Sequence, residues 1–208
     1  MSSLHEETPN PWFSMWRRPR ETVQMYLQTD SVKWLWTLAI LAGIKLFLDN
    51  ADAQNVGDQI AFGSIILLSL VFGPLAGIFY WYLSSGLFTL TGKILGLPGN
   101  WSDMRKAVGL SFVPLVWLLP LWLVKLVLFG SEVFTPWTPV LDSSLWLLFL
   151  IVLFYFVDLF IGGWYLVILS KSVAEVYNCS AWLAFVLIML SGMVLSVVLG
   201  FLLLLLVV

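Results

Sequence analysis

Three charged residues sit where charge is expensive. Asp158 lies deep in the apolar stretch FYFVDLFIGGW, and Lys45 and Lys125 lie inside two other apolar runs. An ionisable side chain inside a membrane span is costly and defaults to a functional role with a partner. The chemistry open to Asp158 is that of a proton or ion site. The plainer alternative is a polar contact that locks helices together through Trp or Tyr hydrogen bonds. Both lysines stand near the outer ends of their runs, where long stems can carry an ammonium toward water. Asp158 stands near mid-span, so the spacing leaves a direct pair with either lysine open.

Little else in the chain suggests catalysis. The single histidine, His5, lies in the N-terminal tail, which excludes a Ser–His dyad within the membrane and an HExxH zinc site. No GxGxxG or GxxxxGK[ST] loop occurs, so nucleotide binding has no support. No two carboxylates share one apolar run. The one cysteine, Cys179, excludes an internal disulfide and a multi-cysteine metal site, and reads as a small loop residue. No catalytic residue, metal or cofactor is expected, and the chain is expected not to be an enzyme.

The elements that must position these residues are membrane helices. Hydrophobic residues make up 61% of the 208 and charged residues 11%, against about a quarter charged in soluble domains. That is too little polar side chain to coat a water-facing surface. Crossing a bilayer takes roughly 20 apolar residues, and five runs approach or exceed this: 33–48, 59–90, 108–129, 144–169 and 181–208. They are continuous, as in LWLLFLIVLFYFV, whereas the strands of a membrane barrel alternate. The fold class is therefore all-α, with five transmembrane helices and a short N-terminal interfacial amphipathic helix. The expected organisation is a disordered tail over 1–9, a cytoplasmic interfacial segment over 10–31 and a transmembrane domain over 32–208. A cleaved signal peptide is not expected, because the first apolar run starts late and Glu6 and Glu7 precede it.

Charge orients the spans. Arg17, Arg18, Arg20 and Lys33 precede the first run, Lys93, Arg105 and Lys106 fall in the second link, and Lys171 falls in the fourth. The first and third links carry only acids: Asp49, Asp52 and Asp58, then Glu132 and Asp142. The N-terminus is expected in the cytoplasm and the C-terminus outside, and a net charge of -2 suggests no nucleic-acid partner. Proline marks breaks: Gly73-Pro74 in the second run and Pro114 and Pro120 in the third predict kinks. Small residues mark close helix contacts. Gly73, Gly77 and Ser84 share one face of the second helix, and Ser191, Gly192, Ser196 and Gly200 make a similar stripe on the last.

The segment NPWFSMWRRPRETV, residues 10–23, mixes aromatics with arginines. Asn10 reads as a cap with Pro11 in the first turn, and Val23, Tyr26 and Leu27 share a face of a following amphipathic helix. Trp12, Trp16, Arg17, Arg18 and Arg20, with Arg105 and Lys106 from NWSDMRKAVG, form a candidate patch for lipid head groups or a partner. Ser102 is the expected cap of the helix in that second segment, with Asp103 in its first turn.

The order of these features resembles the Yip1 domain family in its prokaryotic form. The NPW…W.RPR.T start is followed by an acidic outer loop and FGPLAG, then by NWSDMRKAVGLSFVP, by an LFG.E.FT..TP..D loop and by K..AEV…SAW before the last span. The resemblance runs from Asn10 to about Trp182. It implies five membrane helices, a cytoplasmic N-terminus, a short outer C-terminus and residence in a bacterial cytoplasmic (inner) membrane. Eukaryotic relatives serve Rab GTPases and vesicle traffic, but their DLYGP-type element has no match before the first span, so that role is not carried over. The expected function is a non-enzymatic scaffold or adaptor that organises membrane lipids, other membrane proteins or copies of itself. The alternative is a transporter or channel built on Asp158 and the proline-broken helices.

Overall fold

A computed structural model describes residues 10–29 and 33–207, with side chains described to Val198. The expected tail over 1–9, His5 and the side of Gly200 lie outside what is described. The chain is 85% helical, and among the described residues no strand occurs. In order the helices are α1 (Pro11–Arg17), α2 (Pro19–Leu27), α3 (Lys33–Ala53), α4 (Phe62–Ile94), α5 (Trp101–Ser111), α6 (Val113–Trp117), α7 (Leu119–Phe129), α8 (Pro139–Asp142), α9 (Leu145–Val176) and α10 (Ala181–Val207). Short 3-10 turns occupy Val56–Asp58 and Gly130–Phe134.

Among the described residues, five stretches are long and apolar enough to cross a membrane: Lys33–Ala53, Phe62–Ile94, Trp101–Phe134, Leu145–Val176 and Ala181–Val198. The helices outrun the apolar runs. α3 continues through Asp49 and Asp52, and α9 continues through Lys171 to Val176. α4 passes through Pro74 as one helix of 33 residues, about 50 Å at 1.5 Å per residue and well over a core of about 30 Å. The third span is broken instead, at Phe112 and Leu118, and a proline opens each new segment. Proline suits the first turn of a helix, where its missing N–H has no partner to lose.

The helices contribute to two compact units, and the divisions fall within α4 and α9 and between α5 and α6. The first unit comprises Met1–Asp30, Tyr82–Ser111 and Leu166–Val208. Asn10 caps α1 by accepting from Trp12 N at 3.1 Å. α1 and α2 pack on α5, burying Met15 and Val23 in the first pair and Met104, Ala107 and Val108 in the third. The stripe around Val23 is thus covered by protein. Lys106 Nζ donates to Leu27 O at 3.0 Å and satisfies a carbonyl at the end of α2. α5 is capped by Asn100 and not by Ser102: Asn100 Oδ1 accepts from Asp103 N at 2.9 Å, and Asn100 Nδ2 donates to Asp103 Oδ2 at 2.8 Å. Tyr177 OH donates to Phe88 O at 2.7 Å, and burial pushes that phenol up to about 12, so it stays a donor. Ser191 pairs with Thr91 Oγ1 at 2.9 Å, whereas a Cβ added at Gly192 would meet nothing within 4 Å outside its own helix among the described residues, and Ser196 is exposed. Only part of that predicted stripe therefore packs within the chain.

The second unit comprises Ser31–Trp81 and Phe112–Tyr165. Its core joins Leu48, Ile65, Trp122, Phe129 and Phe134, with the Trp122 and Phe134 rings stacked at 5.8 Å. Glu132 holds the start of α8, accepting from Val140 N at 2.8 Å and Leu141 N at 2.9 Å. α3 and α4 meet through glycine. A Cβ on Gly43 would reach Gly77 Cα at 2.5 Å, and one on Gly73 would reach Ile44 Cα at 2.7 Å. Close backbone approach of this kind supplies the packing that holds helices together in lipid.

Gly43→Ala is expected to destabilise by about 1–3 kcal/mol, the cost of overpacking, read as earlier thermal unfolding in detergent. Gly163→Ala, with nothing within 4 Å of its added carbon, is expected to stabilise slightly, since Ala is the better helix former. Equal effects at the two positions would refute the close contact.

Candidate functional site

Helical spacing builds the site from three helices of the second unit. On α3, Lys45, Asp49 and Asp52 follow one another by four and three residues, which keeps them on one face. On α7, Trp122 precedes Lys125 by three residues, and on α9 Tyr155 precedes Asp158 by the same interval. Each helix therefore presents its polar groups as a pair or triplet on adjacent turns.

The groups converge. Lys125 Nζ donates to Asp158 Oδ2 at 2.5 Å, and Lys45 Nζ donates to Asp49 Oδ2 at 2.5 Å. Lys45 Nζ also lies 3.8 Å from Asp158 Oδ1, an oxygen that accepts no hydrogen bond from the described residues. Trp122 Nε1 donates to Asp49 Oδ1 at 2.8 Å, and Tyr155 OH donates to Asp52 Oδ1 at 3.1 Å. The same two aromatic rings flank the Lys125 ammonium, with centroids at 4.8 Å and 4.6 Å. A desolvated cation–π contact is worth about 2 kcal/mol. Lys125 is 1% exposed and Lys45 6%, so neither ammonium reaches outward as the sequence suggested. Both turn into the network.

A cavity of about 280 Å³ is lined by Lys45, Asp49, Asp52, Ala53, Lys125, Tyr155 and Asp158. A second, of about 220 Å³, is lined by Asp52, Asn55, Glu132, Thr135, Thr138, Ile151 and Tyr155 among others. Asp52 and Tyr155 line both.

The structure thus brings together the three intramembrane residues singled out in the sequence, Lys45, Lys125 and Asp158. Asp49, Asp52, Trp122 and Tyr155 were missed. The first two were assigned to a link because the apolar run ends at Leu48, although the four-residue step from Lys45 to Asp49 was a usable signal. Trp122 and Tyr155 looked like ordinary apolar-run aromatics, and only their three-residue offset from a charge set them apart.

The other singled-out residues fall elsewhere. Gly73 and Gly77 form the α3–α4 contact, and Ser84 is buried in the first unit. The basic-aromatic patch is also in the first unit and is partly consumed there. Arg20 donates to Cys179 O at 2.8 Å and lies 3.9 Å from Glu175. Arg105 stacks over Trp101 at 4.8 Å and Tyr82 at 5.5 Å, and Lys106 is bonded to Leu27 O. Trp12 and Trp16 are half-buried, while Arg17 and Arg18 are exposed beside Phe13. Arg18 meets Glu21 at 3.4 Å, a surface pair of little energetic weight.

Long apolar helices enclosing a charge network define an all-α, multi-pass integral membrane protein. The family model for the Yip1 domain matches residues 13–202, and the chain belongs to the Yip1 domain family. A search of curated proteins and a search of solved structures each found no match.

Lys125→Met is expected to cost about 3 kcal/mol, the low end of the range for breaking a buried pair, because Lys45 stays near Asp158. Adding Asp158→Leu is expected to restore most of that loss. Denaturant unfolding in detergent checks both, and strictly additive losses would show that the pair is uncoupled.

Proposed function

We propose that this Yip1-type protein is a non-enzymatic membrane scaffold that organises other membrane proteins, copies of itself or lipids. The observation that carries this reading is how little of α9 its own chain covers. In its most apolar stretch of 18 residues only 6% are buried, and Phe156, Leu159 and Phe160 are each more than half exposed. In lipid, helix association depends on packing and hydrogen bonds more than on apolar area, so an open face of this length leaves room for partners. Cys179 itself is a poor candidate for a nucleophile. Burial raises its pKa, with the nearby Arg20 charge acting the other way, and a thiol held protonated is a poor nucleophile.

The proposed setting is a bacterial inner membrane. The basic residues of the first unit, from Arg17 to Lys171, support placing the N-terminus in the cytoplasm and the C-terminus outside. A C-terminal reporter active only in the cytoplasm would overturn that orientation. The scaffold itself is tested by photo-crosslinking from Phe156 and Phe160 in native membranes. Reproducible protein adducts are expected, and adducts to lipid alone at both positions would sink a protein-organising role.

A second reading, a transporter or channel subunit, is favoured by the charge-lined cavity. It expects ion or small-solute flux in liposomes that Asp158→Asn abolishes without unfolding the protein. Flux indistinguishable from empty liposomes across ions and small solutes would eliminate it.

A further inference from the structure

We infer that the two cavities of the second unit form one water-filled access path and that Asp52 is its proton-binding group. The site lies in the region that motivates the transport reading, but the inference goes beyond both readings above: a proton can be taken up there with no flux and no partner.

The geometry supports continuity. The cavity of about 220 Å³ includes polar residues of the connecting segments, Asn55, Glu132, Thr135 and Thr138. The cavity of about 280 Å³ includes the charge network. Asp52 and Tyr155 line both and hydrogen-bond to each other at 3.1 Å, so one polar pair is shared by the two cavities. At about 30 Å³ per water, the larger cavity has room for on the order of nine waters, and six of its seven lining residues carry polar or charged groups.

Charge selects the ligand. Asp158 is held by Lys125 and approached by Lys45, and Asp49 is held by Lys45 and Trp122. Among the described residues, Asp52 is the carboxylate of the network that forms no ion pair. The groups around it are Lys45 and Asp49 on its own helix, Lys125 on α7, Tyr155 and Asp158 on α9 and Glu132 in the turn after α7. Asp58, just beyond α3, is engaged by Thr135. Three carboxylates against two ammoniums leave the network one negative charge in excess, and the charged side chains lining the smaller cavity are both acidic. The path therefore favours a cation. Among the described residues no three His, Cys, Asp or Glu side chains are grouped to hold a metal ion. A lone carboxylate oxygen facing water suffices for a proton.

The test uses the full chain in bilayer nanodiscs and has two arms. In a Cys179→Ser background, Ile151→Cys lines the smaller cavity and Val152→Cys points away from it, the parent side chains being 8% and 64% exposed. A charged maleimide is expected to modify the first and spare the second, because thiolate formation needs water. An unreactive Ile151→Cys, or equal reaction at both, overturns the water path. In the second arm, infrared difference spectra across pH are expected to show a titrating carboxyl band that is lost in Asp52→Asn. Tyr155→Phe keeps the ring beside Lys125 and deletes the hydrogen bond to the ionised carboxylate, so the band is expected to persist to higher pH. A band unchanged in both variants, or no titrating band, overturns the assignment of Asp52. Flat liposome flux beside a positive result here removes the transport reading and leaves the site standing.

Discussion

An ammonium that is 1% exposed must have its charge cancelled by its own chain. Lys125 meets this condition with one carboxylate and two aromatic faces, and those three partners dictate how α7 and α9 are set beside each other within the second unit. Asp158 and Tyr155 must be on adjacent turns of α9 to reach the same ammonium, and Trp122 must be one turn back on α7. Asp158 then has an oxygen to spare, which is where Lys45 approaches. Lys45 brings Asp49, and Asp49 accepts from Trp122. The loop of partners closes on the residue next to which it began, so rotating any of the three helices by one residue would strand a charge.

The first unit handles its charge in another way. Two of its basic side chains reach carbonyls at helix ends and turns, which lack helical partners. Arg20 takes the carbonyl of Cys179, and Lys106 takes that of Leu27. Each therefore closes a connection by filling a helix end, with no buried ion pair needed. The same residues are those that a positive-inside rule reads as orientation signals. Serving one purpose does not exclude the other, because the aliphatic stems and remaining N–H groups of arginine and lysine can still meet head groups.

Much of this was legible in the sequence, and the pattern of misses has one physical origin. The five spans follow from apolar length alone, and the breaks at Pro114 and Pro120 follow from the missing N–H of proline. Helix ends were misplaced where polarity was taken as the end of a helix. Asp49 and Asp52 look like a link beside the apolar run 33–48, yet a paired or hydrogen-bonded carboxylate does not stop a helix. Lys171 at the far end of α9 misled in the same way. The side chain that caps α5 is Asn100 and not Ser102, a shift of two residues that periodicity cannot resolve but cap chemistry can. Depth along the sequence also misjudged the lysines. Pairing depends on which face a residue occupies, and the rotation of one helix against another is not written in any single segment.

A bare structural lock would not need this many charges. One lysine and one aspartate, with a Trp or Tyr hydrogen bond, would fasten three helices at a smaller desolvation cost, and well-packed apolar residues would often do so at none. The network instead holds two ammoniums and three carboxylates, and the third carboxylate, Asp52, accepts a hydrogen bond from the Tyr155 phenol and shares the cavity wall with Lys45 and Lys125. An unbalanced carboxylate is tolerable among apolar helices under two conditions. Either it is neutralised, or water reaches it. The cavities against Asp52 supply the space for the second, and a carboxyl reached by water is also free to adopt the first. The observed charge count thus calls for either water or a proton at the surplus aspartate, and that aspartate is the feature that separates this site from an ion pair serving packing alone.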